Sequence, residues 1–407
     1  MQDNVPAEVD KIIAKALNKS TAKRYQTCAE FLADVENLIE HLTSTHTKRK
    51  TRTKTKTRTK VKVNSLKKIK AKLRFFVFAF LIIAVLLTLF YFMYNDISGL
   101  WSKINGNQAI SNPPKNSLNL IDAKWKSLNS PTINGLNSIY FINDSTGFAC
   151  GEHGTIIKTV NMGKSWSFLP GSFNHNFYDI EFVSSHRGFI VGSEGSILNT
   201  TNGGANWTEE SYSSASSSLF KVYFLKNTTV GFIVGANGVI LKTYDYGIHW
   251  LQVPSPTKEI LFSISFSDAN DGFIVGRNGV ILRSPDQGNT WIQDPKLNNQ
   301  YIKDIYFINS KIGILAGGNG EIARTTNGGN NWSLIPTNIA SGLYSINFFN
   351  KTTGVILGSN GEILITKDAG TSWNVSHTGI YAALNSSSET PSNKIYIVTN
   401  TGKIISN

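Results

Sequence analysis

From residue 121 onward the chain is built of short apolar runs of about five residues, such as SINFF, GVILG and EILIT, separated by Gly, Asn, Asp and Ser. Apolar and polar positions alternate with period two, and β-branched residues dominate. Nothing in this stretch keeps the 3.6-residue period of a helix, so the pattern predicts strands joined by tight turns. Two earlier segments behave differently. Val9, Ile12, Ile13, Ala16 and Leu17 form one helical stripe, and Phe31, Leu32, Val35, Leu38 and Ile39 form another. Phe75 to Tyr94 reads FFVFAFLIIAVLLTLFYFMY, 20 residues without a charge. At about 1.5 Å per residue this run spans the roughly 30 Å hydrocarbon core of a bilayer. Aromatic side chains crowd both of its ends, where a membrane helix meets the headgroups. The bland alternative is a buried core helix. The order predicted is a short helical segment at 1–45, a tract at 46–74, a transmembrane helix at 75–94, a linker at 95–120 and an all-β domain at 121–407.

The β region repeats. Its tryptophans are Trp125, Trp166, Trp207, Trp250, Trp291, Trp332 and Trp373, at intervals of 41 or 43 residues. A period near 40 marks a solenoid or a propeller. Each unit carries G-x3-G-x2-G, from Gly147, Gly151 and Gly154 to Gly354, Gly358 and Gly361. Four short antiparallel strands per unit describe a propeller blade. Ahead of six of the tryptophans lie TVNMGKSW, TTNGGANW, TYDYGIHW, SPDQGNTW, TTNGGNNW and TKDAGTSW, which share [S/T]-x-[D/N]-x-G-x-x-W. This predicts a hairpin between the third and fourth strands. Asn161, Asn202, Asp245, Asp286, Asn327 and Asp368 would bind nearby amides, the glycine would take a positive φ, and the tryptophan would pack between blades.

The ends of the repeat set the blade count. After Trp373 the chain supplies three strands of a further unit and no tryptophan strand, whereas Trp125 begins a strand with nothing before it. The Trp125 strand matches the Trp332 strand, WKSLN against WSLIP, yet no Asp-box turn leads into it. The expectation is a seven-bladed β-propeller of four-stranded blades whose last blade is closed by the N-terminal strand, which removes an exposed sheet edge. A six-bladed ring with an unpaired tail is the alternative.

Charge refines the picture only before residue 75. The formal net charge is +13, and residues 46–74 carry 14 basic and no acidic side chains. From residue 100 on, 21 basic face 19 acidic residues, so the propeller is nearly neutral. Basic flanks stay on the cytoplasmic side, which puts the N-terminus inside and the propeller in the extracytoplasmic space. The Lys/Thr tract is low in complexity and self-repelling, fit for anionic membrane lipid. It lacks an aromatic stacking platform, so nucleic acid is not expected as a partner. Cys28 and Cys150 are too few for a disulfide framework, and the histidines are scattered singly, so no metal site and no cofactor is expected.

The Asp-box turns, together with GFIVG-x2-G-x-I-L-x-T over residues 121–407, resemble the photosystem II stability/assembly factor family. That resemblance implies a seven-bladed extracytoplasmic propeller acting as chaperone or scaffold for a membrane protein, without enzymatic activity, in photosynthesis or in a related role outside it. A second resemblance lies in ALNKSTAKRYQTCAEF, which is similar to the closing end of the C-terminal lobe of bacterial serine/threonine protein kinases. It implies that Arg24 is that lobe's buried arginine. The segment has no phosphate loop, strand lysine or catalytic loop, and an unrelated helical hairpin is the other reading.

The leading function is a membrane-anchored, non-enzymatic propeller that binds a protein or peptide partner. The alternative is the sensor of a receptor-type kinase whose catalytic region is a separate chain or lies outside this one. A sialidase-like, glycan-binding propeller is more remote, because the propeller holds only Arg187, Arg277, Arg283 and Arg324 for a carboxylate-binding cluster. No catalytic residues are assigned. The position before the Asp-box Ser/Thr is basic in four blades: Lys158, Lys242, Arg283 and Arg324. These would form an arc at equal radius that suits an acidic partner; ordinary solvated strand ends are the plain alternative.

Overall fold

The computed structural model describes residues 120, 123–169, 171, 173–211, 217–294 and 301–407. All of them fall in the second of two compact units, Asn112–Asn407. The helical segment, the basic tract, the apolar run at 75–94 and nearly all of the linker lie outside the described residues. Among the described residues no helix is long and apolar enough to cross a membrane.

Seven four-stranded antiparallel sheets make seven blades. Blade 1 shows the plan: an inner strand Leu136–Phe141, then Gly147–Gly151, Ile156–Thr159 and an outer strand Ser167–Phe168. The second strands, for instance GFACG, GFIVG and GVILG, are buried from end to end, which is why they read as continuous apolar runs. Blade 7 takes its inner three strands from the C-terminus and its outer strand, Lys126–Leu128, from the start of the domain. Lys126, Ser127 and Leu128 pair with Ser406, Ile405 and Ile404, so the ring closes as the repeat arithmetic predicts. Leu120 is fully buried with Trp125 among Val355, Ile365, Leu384 and Ile405, and so ties the entering chain to blades 6 and 7.

The core sits between blades rather than within them. Phe148 of blade 1 stacks on Phe182 of blade 2 at 5.2 Å, and Trp207 meets both rings edge-on at 6.2 and 5.8 Å. The same trio recurs as Phe189–Phe224–Trp250 and Phe232–Phe266–Trp291. At the closing seam Tyr396 replaces the first phenylalanine, stacking on Phe141 at 4.2 Å beside Trp166. Each aromatic pair of this kind is worth about 0.5–1.5 kcal/mol beyond its buried area.

The tryptophans depart in one respect from the expectation that each packs between blades. Trp166 and Trp291 are buried, but Trp125, Trp207, Trp250, Trp332 and Trp373 are only half-buried. Trp332 shows why. It stands just ahead of the outer strand Ser333–Ile335, at the rim of blade 5, and meets Phe307 of its own blade edge-on at 5.9 Å. Phe307 in turn stacks on Phe273 of blade 4 at 4.8 Å, and Trp332 packs against the cluster those two rings share. Trp373 likewise meets Phe348 of its own blade at 6.2 Å, beside Ile314 of blade 5. These indoles cover each seam from its outer edge, so one side of the ring is left to solvent.

The Asp-box turns form as the motif requires. In blade 1 the Gly163 amide donates to Thr159 Oγ1, the Thr159 hydroxyl donates to Asn161 Oδ1, and the Ser165 amide donates to the same oxygen, each at 3.0 Å. Gly163 has φ 69°, and its glycine is doubly required, because a Cβ there would lie 2.6 Å from the Tyr396 ring. The residue before it, Met162, also has a positive φ, of 63°, which the sequence pattern does not announce.

Candidate functional site

The inner strands surround a central channel of about 790 Å³. Their first, fourth and sixth residues, such as Leu136, Ile139 and Phe141, are buried in the blade, and the third and fifth line the channel. Every inner strand carries a β-bulge at its second residue: Leu136 pairs with Gly151 and Ser138 with Cys150, which leaves Asn137 without a partner in the ladder. The same shift occurs in all seven blades. In blades 1 to 6 a glycine ends the second strand beside the bulge, whereas blade 7 makes the same bulge against Thr399. At Gly276 a Cβ would stand 2.1 Å from Ile260 O, and at Gly317 it would stand 1.9 Å from Tyr301 O.

Around the ring the bulged residues are Asn137, Tyr178, Phe220, Phe262, Lys303, Tyr344 and Asn385. They stand near the start of each inner strand, on the face opposite the Asp-boxes. The two asparagines donate to the carbonyls of Phe177 and Leu136, at 2.7 and 2.8 Å, and so staple neighbouring blades. Tyr178, Phe220 and Phe262 form a partly exposed ledge, which Tyr301 extends. Tyr178 lies 4.9 Å from Phe220, Phe220 lies 5.7 Å from Phe262, and Phe262 lies 6.2 Å from Tyr301. Two cations rest on it: Lys303 Nζ is 3.9 Å from the Phe262 ring centre, and the Arg277 guanidinium is 5.4 Å from that of Tyr301. Burial holds the Lys303 ammonium below its usual range.

Inside the channel Asp179 accepts from Ser138 Oγ at 2.9 Å and from the Val222 amide at 3.1 Å, and it pairs with Lys221 Nζ at 3.3 Å. Asp304 accepts from the amides of Ile305 and Ile346 at 2.9 and 2.7 Å. These carboxylates satisfy the free inner edges of the next strands, as buried backbone donors require. Burial pushes Glu181 up to about 8, because the neighbouring Lys221 opposes that burial only in part. Burial also works against the Lys221 ammonium, but Asp179, Asp304 and Glu181 together outweigh it and hold that ammonium above its usual range. Among the described residues no group of His, Cys, Asp and Glu is arranged to hold a metal ion.

The basic positions before the Asp-boxes share one register in the third strands, opposite Phe148, Phe232, Phe273 and Ile314, and their side chains reach neighbouring protein groups. Lys242 is 1% exposed, and its Nζ donates to Gln287 O at 2.7 Å and to Asn289 Oδ1 at 2.8 Å in the next blade. Arg324 Nε donates to Ala369 O at 3.0 Å, and Arg283 donates to Asn330 Oδ1 at 2.7 Å. Lys158 covers the Phe148 ring at 5.0 Å. At the closing seam the Tyr396 hydroxyl takes the corresponding place, donating to Met162 O at 2.6 Å. Lys242, Arg283, Arg324 and Tyr396 clasp one blade to the next, whereas Lys158 lies over a ring of its own blade. The bulge ledge is what the sequence reading passed over. Its signal is present as a fixed offset, ten residues before the first repeat glycine in blades 1, 2, 4, 5 and 6. In blade 3 Phe220 stands eleven before Gly231, and blade 7 has Ile395 where that glycine would be.

A family model described as "Photosynthesis system II assembly factor YCF48" matches residues 169–258, 248–338 and 293–367, together just under half of the chain. The propeller resembles that family. Among solved structures, "YCF48 bound to D1 peptide" aligns with a TM-score of 0.61 at 17% identity, covering 70% of this chain and 96% of that one. YCF48 from Cyanidioschyzon merolae aligns at 0.60 with 18% identity, covering 70% and 98%. A streptogramin B lyase aligns at 0.57 with 16% identity, covering 69% and 96%. At such identities the likeness is one of fold. No curated protein sequence matches the chain.

Proposed function

We propose that this chain is a membrane-anchored, non-enzymatic propeller that binds a protein or peptide partner outside the membrane, in the manner of an assembly factor. The observation that carries the reading is the ledge of partly exposed rings at the channel mouth, Tyr178, Phe220, Phe262 and Tyr301. Contiguous aromatic surface on a folded domain is surface that a partner gains by covering. Two comparisons support it: the assembly-factor family match, and the similar fold that is solved with a peptide bound. The anchor rests on the uncharged run Phe75–Tyr94, and its direction rests on the 14 basic residues before it.

The test is direct. The full chain, reconstituted in lipid nanodiscs, is applied to an array of random peptides of about a dozen residues and, in parallel, to a glycan array. Saturable peptide binding supports the reading. Binding to glycans and to no peptide contradicts it.

A further inference from the structure

We propose that the channel mouth on the bulge face docks an extended acidic segment of the partner, with apolar side chains along Tyr178, Phe220 and Phe262 and carboxylates at Lys303 and Arg277. This rests on the peptide-binding reading above and adds where the partner sits and what it is made of.

The spacing fits an extended chain. Successive rings of the ledge lie 4.9, 5.7 and 6.2 Å apart. Side chains on one side of an extended strand recur about every 6.6–6.8 Å, so each can meet the next ring. The charge fits an acid. Among the described residues neither Lys303 nor Arg277 forms an ion pair, and each is laid over a ring instead. Lys303 is also partly withdrawn from water, so an incoming carboxylate would restore a charge interaction that its surroundings lack. Glu259, on the same blade as Arg277, is held by Asn278 Nδ2 at 3.1 Å.

A neutral sugar would leave both cations uncompensated. A phosphate-linked strand is disfavoured by the carboxylates on the same face, at Glu152 and Glu194 in the turns of blades 1 and 2. Arg277 and Lys303 stand in adjacent blades, 4 and 5. A short acidic stretch within a longer segment matches that distribution. Two cations on adjacent rings call for side-chain carboxylates in sequence rather than for one terminal carboxylate. Ile133 and Tyr381, 90% and 93% exposed in the loops that enter blades 1 and 7, extend the apolar surface on this same face.

The experiment uses the full chain in nanodiscs and the peptide array, with every peptide amidated at its C-terminus. The expected binders combine Asp or Glu with aromatic or aliphatic residues, and they weaken with added salt. For the best of them the dissociation constant rises roughly tenfold in each of Arg277→Gln, Lys303→Gln and Phe262→Ala. Lys164→Gln, on the Asp-box face, leaves it unchanged. Thermal melting of each variant separates lost binding from lost folding, and the two cation variants keep the test open if Phe262→Ala unfolds. Binders of basic or neutral composition, indifference to all three substitutions, or binding only when the C-terminus is free overturn the proposal. Any of these leaves peptide binding itself standing, whereas an array with no bound peptide removes both.

Discussion

Lys242 shows how a side chain's use depends on a neighbour far away in sequence. Its acceptors, Gln287 O and Asn289 Oδ1, are 45 and 47 residues on, in the next blade. Substitution with methionine keeps the stem over Phe232 and removes the donors. We expect Lys242→Met to cost about 1.5–3 kcal/mol, the net worth of hydrogen bonds from a charged donor, as read by denaturant titration. Glu181 gives a pH signature. Its carboxyl titrates near 4.3 in the unfolded chain and at about 8 in the fold. Between those values the native state holds a proton that the unfolded state has released, so stability falls as pH rises from about 4.3 to about 8 and is level above. Glu181→Gln retains an acceptor for the Phe224 amide and removes the titration. The variant's advantage in melting temperature should widen from pH 5 to pH 8; an advantage constant across that range contradicts the assignment. The Asp-box residues were legible because their partners lie within four positions. The basic residues were legible as a row but not in use, since what each one reaches is set by the packing of blade on blade. The tryptophans were legible as seam residues, but the half-exposure of Trp332 was not, because depth at the rim depends on where the outer strand ends.

At the scale of the strand, the repeat announced both the four-stranded blade and the closing strand. The bulge shows in the sequence only as a break in the period of two: the apolar residues of an inner strand such as LNSIYF are its first, fourth and sixth. The glycine at the end of the second strand is a further hint in the first six blades, through crowding such as that at Gly276 and Gly317. The closing strand is short, three residues, yet it carries Trp125 into the cluster with Ile365 and Ile405. Deleting residues 121–128 exposes the edge at Ile404–Ser406 and removes that tryptophan. Losing the half-buried indole alone should cost about 1.5–3 kcal/mol, a sizeable fraction of a domain's stability. The shortened chain should therefore melt far lower or aggregate. An unchanged melting curve would mean that blade 7 does not need its N-terminal strand.

For the whole molecule, the ring, its seven blades and its closure follow from arithmetic on the tryptophans. The proposed docking surface does not, because it gathers bulged residues of successive blades, Tyr178, Phe220, Phe262 and Lys303, with Tyr301 and Arg277, only when the blades pack side by side. Two measurements belong to this scale. Protease added outside intact cells should degrade the chain beyond about residue 100 and spare the first 70; the reverse pattern would overturn the proposed orientation. The more direct test asks where the partner lies. A photo-crosslinking phenylalanine analogue is placed at Phe262, at Tyr178 or, on the opposite face, at Tyr246 in the full-length chain within its native envelope, and adducts are sequenced by mass spectrometry. The account predicts protein adducts from positions 178 and 262, at an acidic, apolar stretch of one extracytoplasmic segment, and none from 246. Adducts from 246 alone, or none from any of the three, would contradict it.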